Sequence, residues 1–231
     1  MTAQTAVEPA TALVRAGAFA MGSDDGLPNE QPVHTVELSA FRIALLPVTN
    51  REFASFLAAT GHEPPRFWHD AAFNAPEQPV VGVTWFDAAD YCRWLSESTG
   101  KTYRLPTEAE REKAARGGVD GVAYPWGDGP GPEDGRFAQE APFVVGRSQA
   151  NGYGLRDMGY NVHEWCSDWY GATYYRRSPS RDPQGPEEGT RRSARGGAWR
   201  HQVKVSRCAA RSSLDPTFQY NDFGFRVVLE A

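Results

Sequence analysis

Two histidines in the C-terminal half of the chain could carry acid–base or metal chemistry. His163 lies just before Glu164, and His201 follows the glycine pair Gly196-Gly197 by four residues. An imidazole changes charge near neutral pH and is a common ligand of transition metals. A histidine in a loop also commonly serves only in packing. The surface or packing interpretation is therefore favoured for each residue, and a functional role stays open as the alternative.

A second group of polar side chains could bind a cation. Asp157, Asn161 and Glu164 place two carboxylates and one amide within eight residues, around a glycine. Calcium takes about six to eight oxygen ligands from carboxylates, amides and backbone carbonyls. Aspartate and asparagine also satisfy backbone amides in turns. On spacing alone, the turn interpretation is favoured over a cation site.

Several motifs that are typical of common enzyme classes are absent from the sequence. The chain lacks the G-x-G-x-x-G, G-x-x-x-x-G-K-[ST], H-E-x-x-H and G-x-S-x-G patterns. The usual signatures of nucleotide binding, zinc proteolysis and serine hydrolysis are therefore missing. Residues 195–200 carry no side chain suited to nucleophilic attack, although paired glycines allow close backbone approach. Tyr220, Asn221 and Asp222 could line a site or only form a turn.

Three helices in the first half are expected to support these loops. Thr49 with Glu52, and Thr107 with Glu110, have the spacing of capping boxes. Glycines that follow apolar repeats mark the helix ends. The patterns predict helices over residues 49–61, 86–99 and 107–117.

Strand signals are short and widely separated. Alternating apolar residues predict a hairpin over residues 12–21, centred on Gly17, and a strand pair over residues 34–46. Residues 80–83 are expected to form a buried strand, and residues 225–229 the last strand. No long element is expected between Gly118 and that strand.

The composition indicates a domain with many loops. The chain has 231 residues with 23 Gly, 17 Pro and 28 Trp, Tyr or Phe in total (7, 9 and 12). Abundant turn formers and large rings suggest coils held in place by buried aromatics. We predict an α+β domain with little regular secondary structure over residues 12–231, preceded by a flexible tail over residues 1–11.

Charge, hydropathy and cysteine usage limit the partners and the compartment. The net charge is −5 and the pI is about 5.6, so no basic field favours nucleic acid. No stretch approaches the roughly 20 apolar residues of a membrane span. We expect no membrane partner and a cytoplasmic location, in which Cys92, Cys166 and Cys208 are reduced and mostly buried.

An ordered series of motifs along the chain resembles the formylglycine-generating enzyme (sulfatase-modifying factor) family. Its first half comprises residues 14–23, 47–53, 79–88, 103–110 and 124–127. Its second half comprises residues 151–155, 161–165, 195–197, 207–211 and 224–226. The match runs from about residue 12 to residue 230. The resemblance implies a variant of the C-type lectin fold, rich in loops.

The resemblance also implies a structural calcium ion. Asp157 and Glu164 would supply side-chain oxygens, and Tyr160 and Val162 backbone carbonyls. The family often has glycine where Tyr160 stands and tryptophan where His163 stands. It further implies that Cys92 and Cys208 lie near each other, since some secreted relatives have a disulfide at these positions.

The sequence departs from the family at the catalytic cysteines. Formylglycine generators carry two cysteines, five residues apart, that bind copper(I), a metal that prefers soft sulfur ligands. Here residues 198–206 contain no cysteine. His201 falls near the first missing cysteine, and Ala198 replaces a serine. One imidazole cannot reproduce a two-thiolate copper site, so formylglycine generation is disfavoured.

Three functions follow as hypotheses. The first is an oxidoreductase-like relative that acts on a small molecule or a peptide, with an unidentified redox metal. Its cleft would be lined by Trp199, His201, Lys204 and Tyr220, and His201 would transfer protons or bind metal. The second is a lectin-like binding module stabilised by calcium. The third is formylglycine generation through Cys166 or Cys208.

Overall fold

The computed structural model describes residues 6–129, 131 and 139–230. Its helices are α1 (Asn50–Thr60), α2 (Trp85–Thr99) and α3 (Glu108–Arg116). Each begins with a capping box, because a threonine hydroxyl accepts from the third helical amide and the acid at that position accepts from the threonine amide. Each ends at a glycine with φ between 64° and 71°. The three predicted helices are confirmed, with α2 beginning one residue earlier than predicted.

The strands among the described residues form three small sheets. They are β1 (Thr11–Val14), β2 (Gly17–Met21), β3 (His34–Leu38), β4 (Phe41–Ala44), β5 (Tyr103–Arg104), β6 (His163–Trp169), β7 (Arg192–Arg195), β8 (Arg211–Leu214), β9 (Phe223–Gly224) and β10 (Val228–Glu230). The sheet orders are β1-β4-β10-β5, β2-β3 and β8-β7-β6-β9. All pairs are antiparallel except β6 with β9. The chain is therefore a mixed α+β domain with many loops, as predicted.

The predicted strand pairings are wrong, although the strands themselves exist. β1 pairs with β4 and β2 pairs with β3, so neither the hairpin around Gly17 nor the pair over residues 34–46 forms. Alternation of apolar residues indicates a strand but not its partner, because pairing depends on contacts distant in sequence.

Two further strand predictions fail for a related reason. Residues 80–83 are buried but form no strand, since the amides of Val80 and Gly82 bond separately to the carbonyls of Val48 and Tyr220. Of the predicted last strand over residues 225–229, only Val228 and Leu229 belong to a strand, β10, whereas residues 225–227, with the buried Arg226 among them, lie between β9 and β10. The sequence HEWCSDW of β6 has no simple alternation, so this seven-residue strand was not predicted.

α3 connects the helical half of the fold to the sheet that carries the candidate site. All nine of its residues are buried, although six of them are charged: Glu108, Glu110, Arg111, Glu112, Lys113 and Arg116. It packs against β6 and β7. Buried charges are tolerated when they are paired. Here Glu108 and Glu112 on α3 pair with Arg195 on β7 at 3.0 and 2.8 Å.

The remaining core is apolar and aromatic. One cluster joins α1 and α2 to the C-terminal strands through Phe53, Tyr91, Trp165 and Phe225. A second lies between the first four strands and the alanines of α3. No helix among the described residues is long and apolar enough to cross a membrane.

The segment predicted as a flexible tail is described from Ala6 onward. Ala6 is buried in the first cluster, and Glu8 accepts hydrogen bonds from Lys101 and Tyr103. Thr11 already belongs to β1.

Candidate functional site

His163 is the first residue of β6. Its backbone amide donates to the carbonyl of Asp222 at 2.8 Å, just before β9 begins. Its ring packs on Phe223 with centroids 5.0 Å apart. Because β6 and β9 run parallel at this point, the start of β6 and the residue before β9 lie side by side.

His201 reaches the same place from the loop after β7. That loop folds back because Gly197 donates to the Gly159 carbonyl, and a Cβ atom at Gly197 would lie 2.6 Å from the same oxygen. A turn held by the His201 amide and the Ala198 carbonyl then directs the ring toward β6. Nδ1 of His201 lies 2.8 Å from Nε2 of His163.

Asp222 completes a three-residue cluster. Its Oδ2 lies 3.5 Å from Nε2 of His201 and accepts from Nε of Arg200 at 2.8 Å. Its Oδ1 is buried and has no hydrogen-bond partner among the described residues. Ligand atoms of the two histidines and Asp222 lie within 4.8 Å of one another. We call these three residues the His-His-Asp cluster.

The histidines of the cluster form part of the wall of a pocket of about 360 Å³. Lys204, Arg207 and Arg211 also line it. Glu30 accepts two hydrogen bonds from Arg207, and Glu108 accepts two from Arg211. Lys204 is exposed and makes no ion pair with the described residues. The charges of the two arginines that line the pocket are therefore balanced by carboxylates, whereas the Lys204 ammonium group at the rim is not.

This environment favours the neutral form of both histidines. Burial lowers the pKa of His163 to about 4, although the Asp222 carboxylate acts in the opposite direction. Burial also lowers the pKa of His201. A neutral imidazole has a free lone pair for a metal or a proton, so both rings are in the state that coordination requires.

The structure separates the four side chains predicted to line the cleft. His201 and Lys204 line the pocket. Trp199 is buried against Phe73, and its indole N–H donates to the Asn221 carbonyl, so it holds the loop instead. Tyr220 is exposed, and its ring lies 6.3 Å from that of Phe223.

Sequence reasoning left His163 and Asp222 undecided and did not single out Glu30 or Arg211 for the site. The signal for His163 was its unusual presence where the family often has tryptophan. Glu30 gave no such signal, because a polar turn contains many acids that only contact solvent. It pairs with Arg207, which is 177 residues away in sequence.

The two carboxylates among the predicted calcium ligands have other partners. Asp157 accepts from the backbone amides of Gly146 and Ser148. Glu164 is fully buried and accepts from Arg111 and Arg226. Tyr160 and Val162 were predicted to contribute backbone carbonyls. Their side chains pack elsewhere, the Tyr160 ring on Phe143 and the Val162 side chain in a small apolar cluster with Trp199. With the Glu164 carboxylate engaged by guanidinium groups, this donor set does not fit calcium.

The cysteines do not fit copper either. All three are free and buried, and none lines the pocket. Burial raises the pKa of Cys92 and Cys166, and that of Cys208 to about 12, which disfavours thiolates. Cys92 and Cys208 belong to different apolar clusters.

Comparison with known proteins defines the class. The whole chain, residues 1–231, matches the sulfatase-modifying factor enzyme 1-like domain. It is 38% identical to a formylglycine-generating enzyme of Streptomyces coelicolor, with 93% of this chain and 87% of the relative covered. The chain therefore belongs to this family.

Two further relatives extend the comparison. The serine/threonine-protein kinase pkn1 of Chlamydia caviae is 36% identical over 92% of this chain, which spans only 37% of that kinase. The solved structure of PvdO from Pseudomonas aeruginosa is similar with a TM-score of 0.85 and 30% identity, covering 96% of this chain and 95% of PvdO. The similarity to PvdO extends over nearly the whole fold of both chains.

Proposed function

We propose that this protein is a metal-dependent oxidoreductase that acts on a small molecule or a peptide at the His-His-Asp cluster. The observation that carries the proposal is the convergence of two neutral imidazoles and one carboxylate beside an open pocket. Two histidines and one carboxylate form the ligand set of many non-haem iron enzymes, which keep other coordination positions open for reactants.

The distances between the side chains support metal binding. A metal bonded to two imidazoles at about 2.0–2.1 Å, with an angle near 90° between the bonds, holds the nitrogens about 3 Å apart. Nε2 of His163 and Nδ1 of His201 are 2.8 Å apart. The free Oδ1 of Asp222 gives the third side chain an oxygen that no other described residue binds.

The pocket indicates the class of substrate. Its volume of about 360 Å³ lies at the lower end of the range of about 300–1,000 Å³ typical of small-molecule sites. The exposed Lys204 ammonium at the rim favours a substrate that carries a negative group, such as a carboxylate. A small organic acid, or the acidic end of a peptide, would meet both requirements.

The other two hypotheses receive less support. Formylglycine generation would need a reactive thiol, and the three buried cysteines lie outside the pocket lining. A calcium-stabilised binding module would need a calcium loop, but Glu164 is already paired with two arginines. The name of the Streptomyces relative supports the family, but residues 198–206 lack the cysteine pair that the resemblance implies for formylglycine generation.

The experiment is an oxygen-consumption assay on protein stripped by a chelator and reloaded with one metal at a time. Small organic acids and acidic peptides serve as substrates. We expect turnover with one redox-active metal and none with zinc. His201→Ala should reduce this turnover at least about 100-fold, whereas His69→Ala, an exposed histidine outside the pocket, should not. Undiminished turnover in His201→Ala would contradict the proposal.

A further inference from the structure

The loop predicted to bind calcium contains a cationic side chain of the protein itself. Arg111 projects from α3 and is about 1% exposed. Its Nε donates to Oε2 of Glu164 at 2.8 Å, and its Nη2 donates to the carbonyl of Met158 at 2.8 Å. Its partners are thus one carboxylate and one loop carbonyl, which are the ligand types that calcium takes.

The surroundings of Gly196 show that this guanidinium lies beside a predicted calcium ligand. A Cβ atom built on Gly196 would lie 3.3 Å from Nη2 of Arg111 and 3.7 Å from the carbonyl oxygen of Val162. Val162 is one of the predicted carbonyl ligands, so the guanidinium and that carbonyl both lie beside Gly196. The backbone of Gly196 has a φ of 80°, which favours glycine.

The charge of Glu164 is balanced without a metal. Arg226 donates to both of its carboxylate oxygens, at 2.7 and 2.8 Å, in addition to Arg111. A divalent ion placed here would add positive charge to a buried region that already holds two guanidiniums, at a high electrostatic cost.

We infer that the Arg111 guanidinium takes the position expected for calcium in the loop over residues 157–164, so that the fold is independent of calcium. Arg111 ties α3 to the start of β6, the strand on which His163 is the first residue. A fixed side chain thereby performs the cross-linking role of an exchangeable ion. This inference does not depend on the proposed oxidoreductase activity.

The first test compares the intact protein in calcium and in a chelator. We expect no stoichiometric calcium by isothermal titration, and a melting temperature that differs by less than about 1 °C between the two conditions. One tightly bound calcium ion, with a clear loss of melting temperature in chelator, would overturn the inference.

The second test removes the guanidinium. We expect Arg111→Ala to melt at a lower temperature than the parent in chelator and to regain part of the loss in millimolar calcium. The double variant Arg111→Ala/Glu164→Gln should lose this response, because a neutral amide would then replace the carboxylate. If the Arg111→Ala protein is folded and its melting temperature does not change with calcium, the guanidinium and calcium do not share one position. If this variant folds in neither condition, the result for the intact protein decides the inference.

Discussion

Nε2 of His163 and Nδ1 of His201 face each other at 2.8 Å, although 38 residues separate them in sequence. Two neutral rings can share one proton at this distance, or both lone pairs can bind one metal after that proton leaves. The contact exists because β6 begins beside Asp222 while the loop after β7 folds back at Gly197. A proton relay and a metal site would thus use the same two nitrogen atoms. A measurement of metal binding distinguishes these two roles, because only a metal site binds an ion.

Lys204 is predicted to contribute to substrate binding more than to turnover. We expect Lys204→Met to raise KM for an acidic substrate about three- to tenfold with little change in kcat, because an exposed ammonium contributes uniform binding energy. Steady-state kinetics with the substrate found in the oxygen assay measure this effect. Lys101→Met is the control, since Lys101 pairs with Glu8 outside the pocket lining. An equal effect of both substitutions would exclude this role for Lys204.

Glu108 is predicted to be essential for stability. Its carboxylate accepts two hydrogen bonds from Arg211 at 2.7 Å and lies 3.0 Å from Arg195, with all three side chains buried. Glu108→Gln leaves excess buried positive charge and should reduce the free energy of unfolding by about 3–5 kcal/mol. Urea denaturation measures it. Glu37→Gln removes an exposed ion pair with Arg181 and should cost less than about 1 kcal/mol. Comparable losses would refute this account of the network.

Asp168 is predicted to make stability depend on pH. Burial, followed by the charge of Glu108, raises its pKa to about 7 from an ordinary value of 3.8. The native state therefore holds a proton that the unfolded state releases between these values. Its contribution to stability is greatest at low pH and is lost as pH rises from about 4 to about 7. Asp168→Asn should remove this part of the dependence.

Urea titrations of both proteins at several pH values test this prediction. The difference in unfolding free energy between Asp168→Asn and the parent isolates Asp168 over this range, because Glu108, the charge that acts on it most strongly, has a pKa of about 2 and does not titrate there. The variant should gain stability relative to the parent as pH rises through this range. A difference that does not change with pH would contradict the raised pKa.

The helices could be predicted from sequence because their signals are local. The Thr49–Glu52 and Thr107–Glu110 boxes and the closing glycines lie within one turn of the ends they define. Strand partners could not be predicted, because β4 pairs both with β1 and with β10, and β10 lies more than 180 residues after β4 along the chain.

The candidate site divides in the same way. His201 and Lys204 lie in one short loop, so sequence reasoning grouped them and the structure places both at the pocket. Trp199 lies in that loop too, but it is buried against Phe73. Direction of a side chain depends on the fold of the loop and not on its distance along the chain. Asp222 and Glu30 join the site only through tertiary pairing.

Cobalt(II) titration of the metal-free protein, followed by visible absorption, tests the His-His-Asp cluster most directly. We expect one bound ion per chain in the parent and in His69→Ala. Affinity should fall at least about 100-fold in His163→Gln, in His201→Ala and in Asp222→Ala, with circular dichroism verifying that each variant is folded. Uptake that is equal in all five proteins, or absent from the parent, would contradict a metal site at this cluster.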